Sequence, residues 1–381
     1  KHLFAQPGRE WTADVNYSYS PSSGYSNIHI RSFDDIEQQN PKTDEQLQNI
    51  TTNGKNKFLV VQTDYVHPIN ANMKWEAGLR SQARTFESHQ LNYFNGVPQL
   101  NLNNQFEYTD YVHAAYATFS QKVKSIFNYQ VGLRVESSNY TGEQLGKATY
   151  KNNFPLSLFP SVFVTKNIGD KQDIQLNYSR KVNRPSFFQL MPNTDFSDTL
   201  NLQTGNPNLK PEFTNSLELS YQKTYGEKNN TFLATLFGKY TTNLIARYQS
   251  LMQFGDTMAF VSSWINANDA YAAGLELIFR NTITTWWEIN LNTNVYYSKI
   301  NGSNVVAGLE NERTSSLTKL NNTFKLSKTL SIQLSGEYQS KSALPVSTSN
   351  SGGGGGRGNW MGGPPSTSQG HIDAYYGVDF G

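Results

Sequence analysis

The side chains that could perform chemistry are scattered through this sequence without the spacing that a catalytic or metal site requires. The chain has six histidines and no cysteine, and the histidines do not recur at intervals typical of metal ligands. No Gly-x-Ser-x-Gly motif marks a nucleophilic serine. The neighbouring carboxylates Asp34 and Asp35 fall in a predicted loop, where solvated acidic pairs are common. The sequence therefore predicts no catalytic residue, no metal site and no cofactor, and the protein is not expected to be an enzyme.

A run of five consecutive glycines, residues 352–356, has the composition of a phosphate-binding loop but not its ending. A phosphate-binding loop ends in Gly-Lys-Ser or Gly-Lys-Thr and leads into a helix. Here the glycines are followed by Arg357, Gly358 and Asn359. We interpret the surrounding segment, 349–365, as a flexible surface loop, because Gly-rich and Ser-rich chains behave as random coils.

The charge balance gives no reason to expect nucleic acid as a partner. The 32 basic and 30 acidic residues leave a net charge of +2, and no Lys/Arg run is present to neutralise phosphates. Hydrophobic residues make up only 37% of the chain, whereas aromatic residues reach 13%. Disordered chains are poor in aromatic residues, so this composition favours a folded sheet with one wet face and one apolar face.

Apolar and polar residues alternate with a period of two along most of the chain. In the segment 11–19 every odd position is apolar or aromatic and every even position is polar. The segments 174–179, 287–297 and 330–338 repeat this pattern. Successive side chains of a β-strand point to opposite faces, so each segment is expected to be a strand with one apolar side. The sequence predicts an all-β protein.

Fifteen strands are predicted, and the connectors between them alternate between short and long. The strands are expected near 11–19, 25–33, 57–66, 73–87, 106–121, 126–140, 154–166, 172–181, 214–225, 230–248, 258–280, 284–300, 316–327, 329–341 and 370–381. The short connectors are Ser20–Gly24, His67–Asn72, Lys122–Ser125, Asn167–Lys171, Gly226–Asn229, Asn281–Ile283 and Lys328. The long connectors are 34–56, 88–105, 141–153, 182–213, 249–257, 301–315 and 342–369. Membrane barrels have short periplasmic turns and long outer loops, and tilted strands of about 9–11 residues cross a bilayer. This rhythm predicts an antiparallel transmembrane β-barrel.

In such a barrel, alternate side chains contact lipid and the wet interior. The residues expected to face lipid are Trp75, Leu79, Leu133, Val135, Leu275, Leu277 and Phe279. Those expected to face the interior are Glu76, Arg80, Arg134, Glu136, Glu218, Gln222, Glu276 and Arg280. Aromatic residues near strand ends are expected to anchor the barrel at the head-group level. Because single-chain bacterial barrels use an even number of strands, residues 1–381 are expected to form one incomplete barrel domain.

Several motifs occur in a fixed order along the chain. A strand end Leu-Asn-Tyr-Ser-Arg-Lys-Val-Asn-Arg-Pro occupies 176–185, and a Gly-Asn-Pro-Asn-Leu-Lys-Pro-Glu loop occupies 205–212. Trp-Glu-Ala-Gly-Leu-Arg at 75–80 and Tyr-Gln-Val-Gly-Leu-Arg-Val-Glu at 129–136 precede them. Together these motifs resemble the outer-membrane β-barrel of the TonB-dependent receptors, in the branch that is similar to the SusC-type receptors. The resemblance extends from about Trp11 to the end of the chain.

The resemblance implies a function and a set of partners. In that family a barrel of roughly 22 strands encloses an N-terminal plug, and a periplasmic energy-coupling protein acts on a short box ahead of the plug. The plug, the box and the last barrel strands are not found in this sequence. The implied location is the outer membrane of a Gram-negative bacterium, with membrane lipid and a surface lipoprotein as further partners. The implied function is import of a bulky nutrient such as a metal chelate, a glycan or a peptide.

Ligand binding is expected in the predicted loops 182–213, 249–270 and 342–369. The candidate ligand-contacting residues are Arg184, Asn206, Lys210, Trp264, Arg357 and Trp360. The Gly-Asn-Pro-Asn-Leu-Lys-Pro-Glu loop also has a simpler interpretation, which we favour: its glycine and prolines have a structural role and set the backbone conformation of a turn. In that interpretation Gly205 supplies a positive φ, and Pro207 and Pro211 fix φ.

Two other functional interpretations remain open at the sequence level. One is an outer-membrane structural or assembly barrel that transports nothing, which upstream plug and coupling sequences would argue against. The other is a soluble β-protein such as a sandwich or lectin-like domain. The alternation of short and long connectors argues against the soluble protein, because it is typical of membrane barrels and is not expected of a sandwich.

Overall fold

The computed structural model describes residues 1–31, 33, 45–100, 102–124, 126–146, 149–192, 194, 201–254, 257–343 and 370–381. Its strands are β1 His2–Leu3, β2 Glu10–Ile30, β3 Gln46–Asn70, β4 Met73–Phe94, β5 Val97–Pro98, β6 Asn104–Val123, β7 Phe127–Gln144, β8 Thr149–Gly169, β9 Gln172–Asn183, β10 Asn201–Gln203, β11 Glu212–Tyr225, β12 Asn230–Phe254, β13 Thr257–Thr282, β14 Trp287–Asn301, β15 Glu310–Lys325, β16 Ser331–Gln339 and β17 Tyr375–Phe380. One short helix, α1 Phe187–Leu190, lies between β9 and β10. No helix in these described ranges is long and apolar enough to span a membrane.

The strands form one antiparallel sheet in which each main strand pairs with its neighbours along the chain. Pairing runs without interruption from β2 to β17. The three shortest strands are additions: β1 pairs with β2, β5 with β4, and β10 runs parallel to β13. The predicted all-β, antiparallel fold is confirmed.

The prediction of two separate strands at 11–19 and 25–33 is wrong. β2 is continuous from Glu10 to Ile30, and the segment predicted as a turn, Ser20–Gly24, pairs with residues 52–56 of β3. Pro21 itself is within this ladder and pairs with Lys55 of β3. In the described residues, fourteen strands therefore make up the main ladder where fifteen were predicted.

The connectors alternate between the two rims of the sheet, as the sequence predicts. One rim carries only short connectors, at 71–72, 124–126, 170–171, 226–229, 283–286 and 326–330. The other rim carries 31–45, 95–103, 145–148, 184–211, 255–256, 302–309 and 340–374. Six of these seven are shorter than predicted because the strands extend beyond their expected ends, and the predicted long connector 249–257 is reduced to 255–256, between β12 of 25 residues and β13 of 26.

The two faces of the sheet differ in the way that the period-two pattern predicts. Leu133 on β7 is 46% exposed, whereas Glu136 on the same strand is 5% exposed. We call the face with Leu133 the outer face and the face with Glu136 the inner face. Leu79 and Leu275 are likewise exposed apolar residues. The lipid-facing and interior-facing positions on β7 are thus confirmed.

Candidate functional site

In the connector between β9 and β11, the described residues 184–192, 194 and 201–211 fold back onto the inner face of the sheet, and we call them the inward loop. Its first turn is the helix α1, which begins after Ser186. The Ser186 hydroxyl accepts a hydrogen bond from the Gln189 N–H (3.4 Å), and the Gln189 side chain accepts one from the Ser186 N–H (2.8 Å). This reciprocal capping box satisfies donors that a helix start would otherwise leave unpaired. A single helical turn therefore forms directly after Pro185.

Backbone hydrogen bonds hold the two halves of the inward loop together. The Gly205 N–H donates to the Met191 carbonyl (3.1 Å), and the Asn206 N–H donates to the Gln189 carbonyl (2.7 Å). A Cβ atom on Gly205 would lie 2.3 Å from the Met191 oxygen. The φ angle of Gly205 is not in the left-handed region, so the predicted reason for this glycine is wrong. It is required because two backbone segments approach closely.

The inward loop buries its apolar side chains against the inner face. The ring centroid of Phe187 lies 3.4 Å from that of Phe86 and 6.0 Å from that of Phe106. The buried cluster contains Phe106, Tyr108, Tyr140, Phe187, Leu190, Leu209 and Ile245, with Phe86, Phe154, Met191 and Trp264 packed against it. Strands β4 to β8 contribute one side of this cluster and β12 and β13 the other. The loop is therefore sandwiched across the concave side of the sheet, and each buried Leu or Phe stabilises it by about 1.5–3 kcal/mol.

Arg184, the first predicted ligand residue, belongs to a cluster of charges at the start of the inward loop. Its Nη2 lies 2.5 Å from Oε2 of Glu136, whose Oε1 accepts from Nε of Arg134 at 2.5 Å. Charge-assisted hydrogen bonds of this kind are among the strong ones. Two guanidinium groups share one carboxylate, so the cluster has an excess of one positive charge.

Asn206, Lys210 and Trp264 lie where the inward loop meets the hairpin of β12 and β13. The Asn206 side chain donates to the Trp264 carbonyl (2.8 Å) and accepts from the Asn208 N–H (3.0 Å). Lys210 is bound through its backbone: its N–H donates to the Asn266 side chain (2.8 Å), which in turn donates to the Lys210 carbonyl (2.9 Å). These contacts position the loop, which agrees with the interpretation of this motif as a structural element.

Of the six predicted ligand residues, Arg184 lies at the start of the inward loop, Asn206 and Lys210 lie near its end, and Trp264 of β13 contacts Asn206. Arg357 and Trp360 lie outside the described residues, as does most of the predicted loop 342–369. A ligand-binding role for all six stays a prediction. Within the described ranges, no group of three or more His, Asp or Glu side chains comes together as a metal site would require.

The sequence analysis did not single out the pairing of Arg84 with Asp110. These residues are direct cross-strand partners on β4 and β6, and Nε of Arg84 donates to Oδ2 of Asp110 at 2.8 Å. The Arg84 guanidinium also lies 5.4 Å from the Tyr108 ring centroid. The only sequence signal for this pair is alternation, which places both residues on the inner face. The pairing itself depends on the register of two strands.

The base of the longest connector is closed by a small polar cluster. Ser342 and Ile372 exchange backbone hydrogen bonds of 3.0 and 2.7 Å. Beside them, Asp373 lies 3.3 Å from Lys341 Nζ and 3.1 Å from His371 Nε2. The hydrogen bond and charge of Lys341, followed by those of His371, lower the pKa of Asp373 from its ordinary value. The connector 344–369 therefore leaves and re-enters the fold at adjacent points.

These features define a class of protein. Tall antiparallel strands, an apolar outer face, a charged inner face and one rim that carries only short connectors are the architecture of a transmembrane β-barrel wall. Residues 2–353 match the outer membrane protein beta-barrel family, and the chain belongs to this family. Its location is the outer membrane of a Gram-negative bacterium.

Solved structures of outer-membrane receptors have the same fold. The pyoverdine outer membrane receptor FpvA from Pseudomonas aeruginosa PAO1 is similar with a TM-score of 0.59 and 14% identity, over 100% of this chain and 53% of that one. The ferric yersiniabactin uptake receptor FyuA from Yersinia pestis is similar with a TM-score of 0.55 and 14% identity, over 98% of this chain and 54% of that one. The copper transporter OprC is similar with a TM-score of 0.63 and 11% identity, over 97% of this chain and 54% of that one. The chain spans about half the length of these receptors, and no curated protein matches it. The similarity to the SusC-type branch stays a prediction.

Proposed function

We propose that this chain is part of the wall of an outer-membrane receptor that imports a bulky nutrient, and that it is not an enzyme. The observation that carries the proposal is the inward loop, which packs across the inner face of a membrane-spanning sheet. A segment in that position can contact a cargo and must move when the cargo passes. Fold similarity to receptors for pyoverdine and ferric yersiniabactin and to a copper transporter makes a metal chelate the first cargo class to test. Glycans and peptides are the other classes.

The charges beside the inward loop favour a cargo with anionic oxygen atoms. Arg134 and Arg184 share the single carboxylate of Glu136, and no described residue accepts a hydrogen bond from Nε of Arg184. Guanidinium groups bind carboxylates and similar oxygen pairs with two parallel hydrogen bonds. An anionic cargo that approaches this cluster could replace Glu136 as the partner of Arg184. Such an exchange would couple cargo binding to movement of the inward loop.

We further propose that other β-strands pair with both edges of the sheet. Apart from the two-residue β1, no described strand pairs with the outer edge of β2, and the same holds for β17. An unpaired backbone group in hydrocarbon costs several kcal/mol, so two bare edges would be incompatible with a bilayer. The proposed partners are strands that close the barrel, with a plug inside it and a periplasmic energy-coupling protein below. A surface lipoprotein is a further proposed partner.

The test is uptake by cells that depend on the full-length protein. In one variant a short Gly-Ser linker replaces residues 186–209, and in the control a linker of matched length replaces the connector 302–309 on the same rim. The probes are a radioiron-labelled ferric chelate, a copper salt, a labelled oligosaccharide and a labelled peptide. The proposal expects the first variant to lose binding and uptake of one probe while the control retains both. If deletion of the whole gene leaves uptake of every probe unchanged, the proposal fails and a structural barrel becomes the better interpretation.

A further inference from the structure

We infer that the outer face of the sheet carries a binding groove for an acyl chain of lipopolysaccharide, the outer-leaflet glycolipid. The groove crosses β3, β4, β6, β7 and β8 and has a volume of about 570 Å³. This volume is in the range of ordinary ligand sites, about 300–1,000 Å³. The groove lies on the opposite face from the inward loop, so the inference does not depend on transport.

Small side chains at neighbouring positions form the floor of the groove. Ser81 on β4 pairs with His113 on β6, and His113 pairs with Ser137 on β7. In the next row toward the rim of short connectors, Ala115 lies between Leu79 and Val135. Because Leu79 projects from the sheet and is 59% exposed, it forms a wall beside the low floor at Ala115. The result is a channel about one side chain deep.

An irregularity in the ladder marks the far end of the groove. The register between β7 and β8 shifts between Glu136 and Ser138, and Pro155 of β8 lines the groove at this point. A β-bulge bends its strand and increases the local twist. The outer face is therefore indented here, whereas a regular ladder would leave it even.

The groove lies at the level of the outer leaflet. His113 precedes the end of β6, Val123, by ten residues (123 − 113), and this end is on the rim of short connectors. A tilted strand crosses the bilayer in about 9–11 residues, and short connectors are periplasmic in this class of barrel. Beyond the groove the outer face becomes charged, at Lys57 on β3 and Glu107 on β6. The row of His113 is therefore near the outer boundary of the apolar band, where acyl chains join their head groups.

His113 determines which polar atoms a ligand of the groove must have. Nδ1 of His113 lies 3.0 Å from the Ser81 hydroxyl, and no described residue hydrogen-bonds to its Nε2. A polar atom that faces hydrocarbon without a partner is unfavourable. The ester, amide and hydroxyl oxygens of lipopolysaccharide lie on the first carbons of its acyl chains, at the level of this row. One chain in the groove would therefore cover the small residues and supply a partner for Nε2.

The test measures which lipids remain bound to the full-length protein purified from outer membranes. Native mass spectrometry would count lipopolysaccharide and phospholipid molecules on the wild type and on three variants. Ala115→Phe fills the floor of the groove, and we expect roughly a tenfold or greater loss of bound lipopolysaccharide, because several buried methylene groups lose their contacts. His113→Ala removes only the polar contact and should lower retention about threefold to tenfold. Ala117→Phe is the matched control, two residues along the same face and outside the groove, and should retain the wild-type amount.

Three results would overturn the inference. The first is equal retention of lipopolysaccharide by the wild type, Ala115→Phe and His113→Ala. The second is phospholipid in place of lipopolysaccharide on the wild type. The third is a disulfide-linked dimer of a His113→Cys variant that the wild type does not form under the same conditions, which would show that a second copy covers the groove; residues 1–381 contain no other cysteine. If Ala115→Phe does not insert into the membrane, His113→Ala decides the outcome alone.

Discussion

Arg184 donates a hydrogen bond from Nη2 to Oε2 of Glu136 across 2.5 Å, which joins the first residue of the inward loop to strand β7. The other oxygen of the same carboxylate accepts from Arg134. Four residues further along β7, the Tyr140 hydroxyl donates to the carbonyl of Leu209, near the end of the loop. One strand of the wall therefore holds both ends of the inward loop, and β7 is where the loop can best be loosened.

Glu136→Gln should loosen the start of the inward loop without unfolding the sheet. The substitution removes the charge that Arg134 and Arg184 share. Because those guanidinium side chains are 33% and 30% exposed, we expect a loss of about 2 kcal/mol, less than for a fully buried pair. Hydrogen exchange of residues 186–190 should become about 30-fold faster, since 1.4 kcal/mol corresponds to a factor of ten. The control is Glu107→Gln on the exposed outer face, and equal exchange in both variants would contradict the prediction.

Gly205→Ala should disrupt the close contact between the two halves of the inward loop. The new Cβ would lie 2.3 Å from the oxygen and 2.8 Å from the carbon of the Met191 carbonyl, which are backbone atoms that cannot rotate away. Overpacking of this kind costs about 1–3 kcal/mol. Gly238→Ala on β12 is the matched control, because a Cβ there meets nothing within 4 Å. Denaturant unfolding of the two variants would be compared, and a Gly205→Ala midpoint no lower than that of Gly238→Ala would count against this account.

Tyr140→Phe should weaken the end of the inward loop. The substitution removes one hydroxyl and leaves the buried Leu209 carbonyl without that donor, at a cost of about 1–3 kcal/mol. The measurement is local hydrogen exchange of the backbone amides of Asn206, Asn208, Leu209 and Lys210, because Pro207 and Pro211 have no N–H. Tyr111→Phe is the control, since Tyr111 is 44% exposed on the outer face of the neighbouring strand β6. Protection at 206–211 that survives in Tyr140→Phe would show that the hydroxyl contact is unimportant.

Charge on the outer face should destabilise the protein in a bilayer, whereas charge on the inner face should not. Leu133→Arg places a guanidinium group among lipid chains near the middle of β7, and we expect a loss of about 2–4 kcal/mol. Gln130→Arg, on the inner face of the same strand, should change stability by less than about 1 kcal/mol. Urea unfolding in lipid vesicles would compare the two. Equal effects would mean that the two faces have been assigned wrongly.

The base of the connector 344–369 should weaken in acid. Lys341 and His371 lower the pKa of Asp373 below its ordinary value of 3.8. A carboxyl group with a lowered pKa in the folded state stabilises that state above its unfolded pKa, and the contribution is lost as the pH falls through the folded value. The protection factors of the Ser342 and Ile372 amides, which compare their exchange with the intrinsic rate at the same pH, should therefore fall as the pH drops below 3.8. Asp373→Asn should abolish this pH dependence, and wild-type protection factors that stay constant across that range would contradict the prediction.

The local alternation of residue types was enough to predict the fold class, the two rims and the two faces. A period of two is a property of each strand alone, so the assignment of Leu133 to lipid and Glu136 to the interior needed no knowledge of neighbours. The same local approach failed at Ser20–Gly24. Pro21 and Gly24 are typical of turns, but their partners on β3 lie about 30 residues further along the chain and keep the strand straight.

The arrangement of the inward loop depended entirely on tertiary structure. Phe86 and Phe187 touch although 101 residues (187 − 86) separate them, and Gly205 is required by the distant Met191 carbonyl and not by its own φ angle. Such contacts arise only when the whole sheet has curved enough to bring β4 and β12 to the same loop. The hydrophobic effect is non-directional and depends only on the apolar area that is buried. The local sequence of a loop therefore does not indicate which strands the loop will pack against.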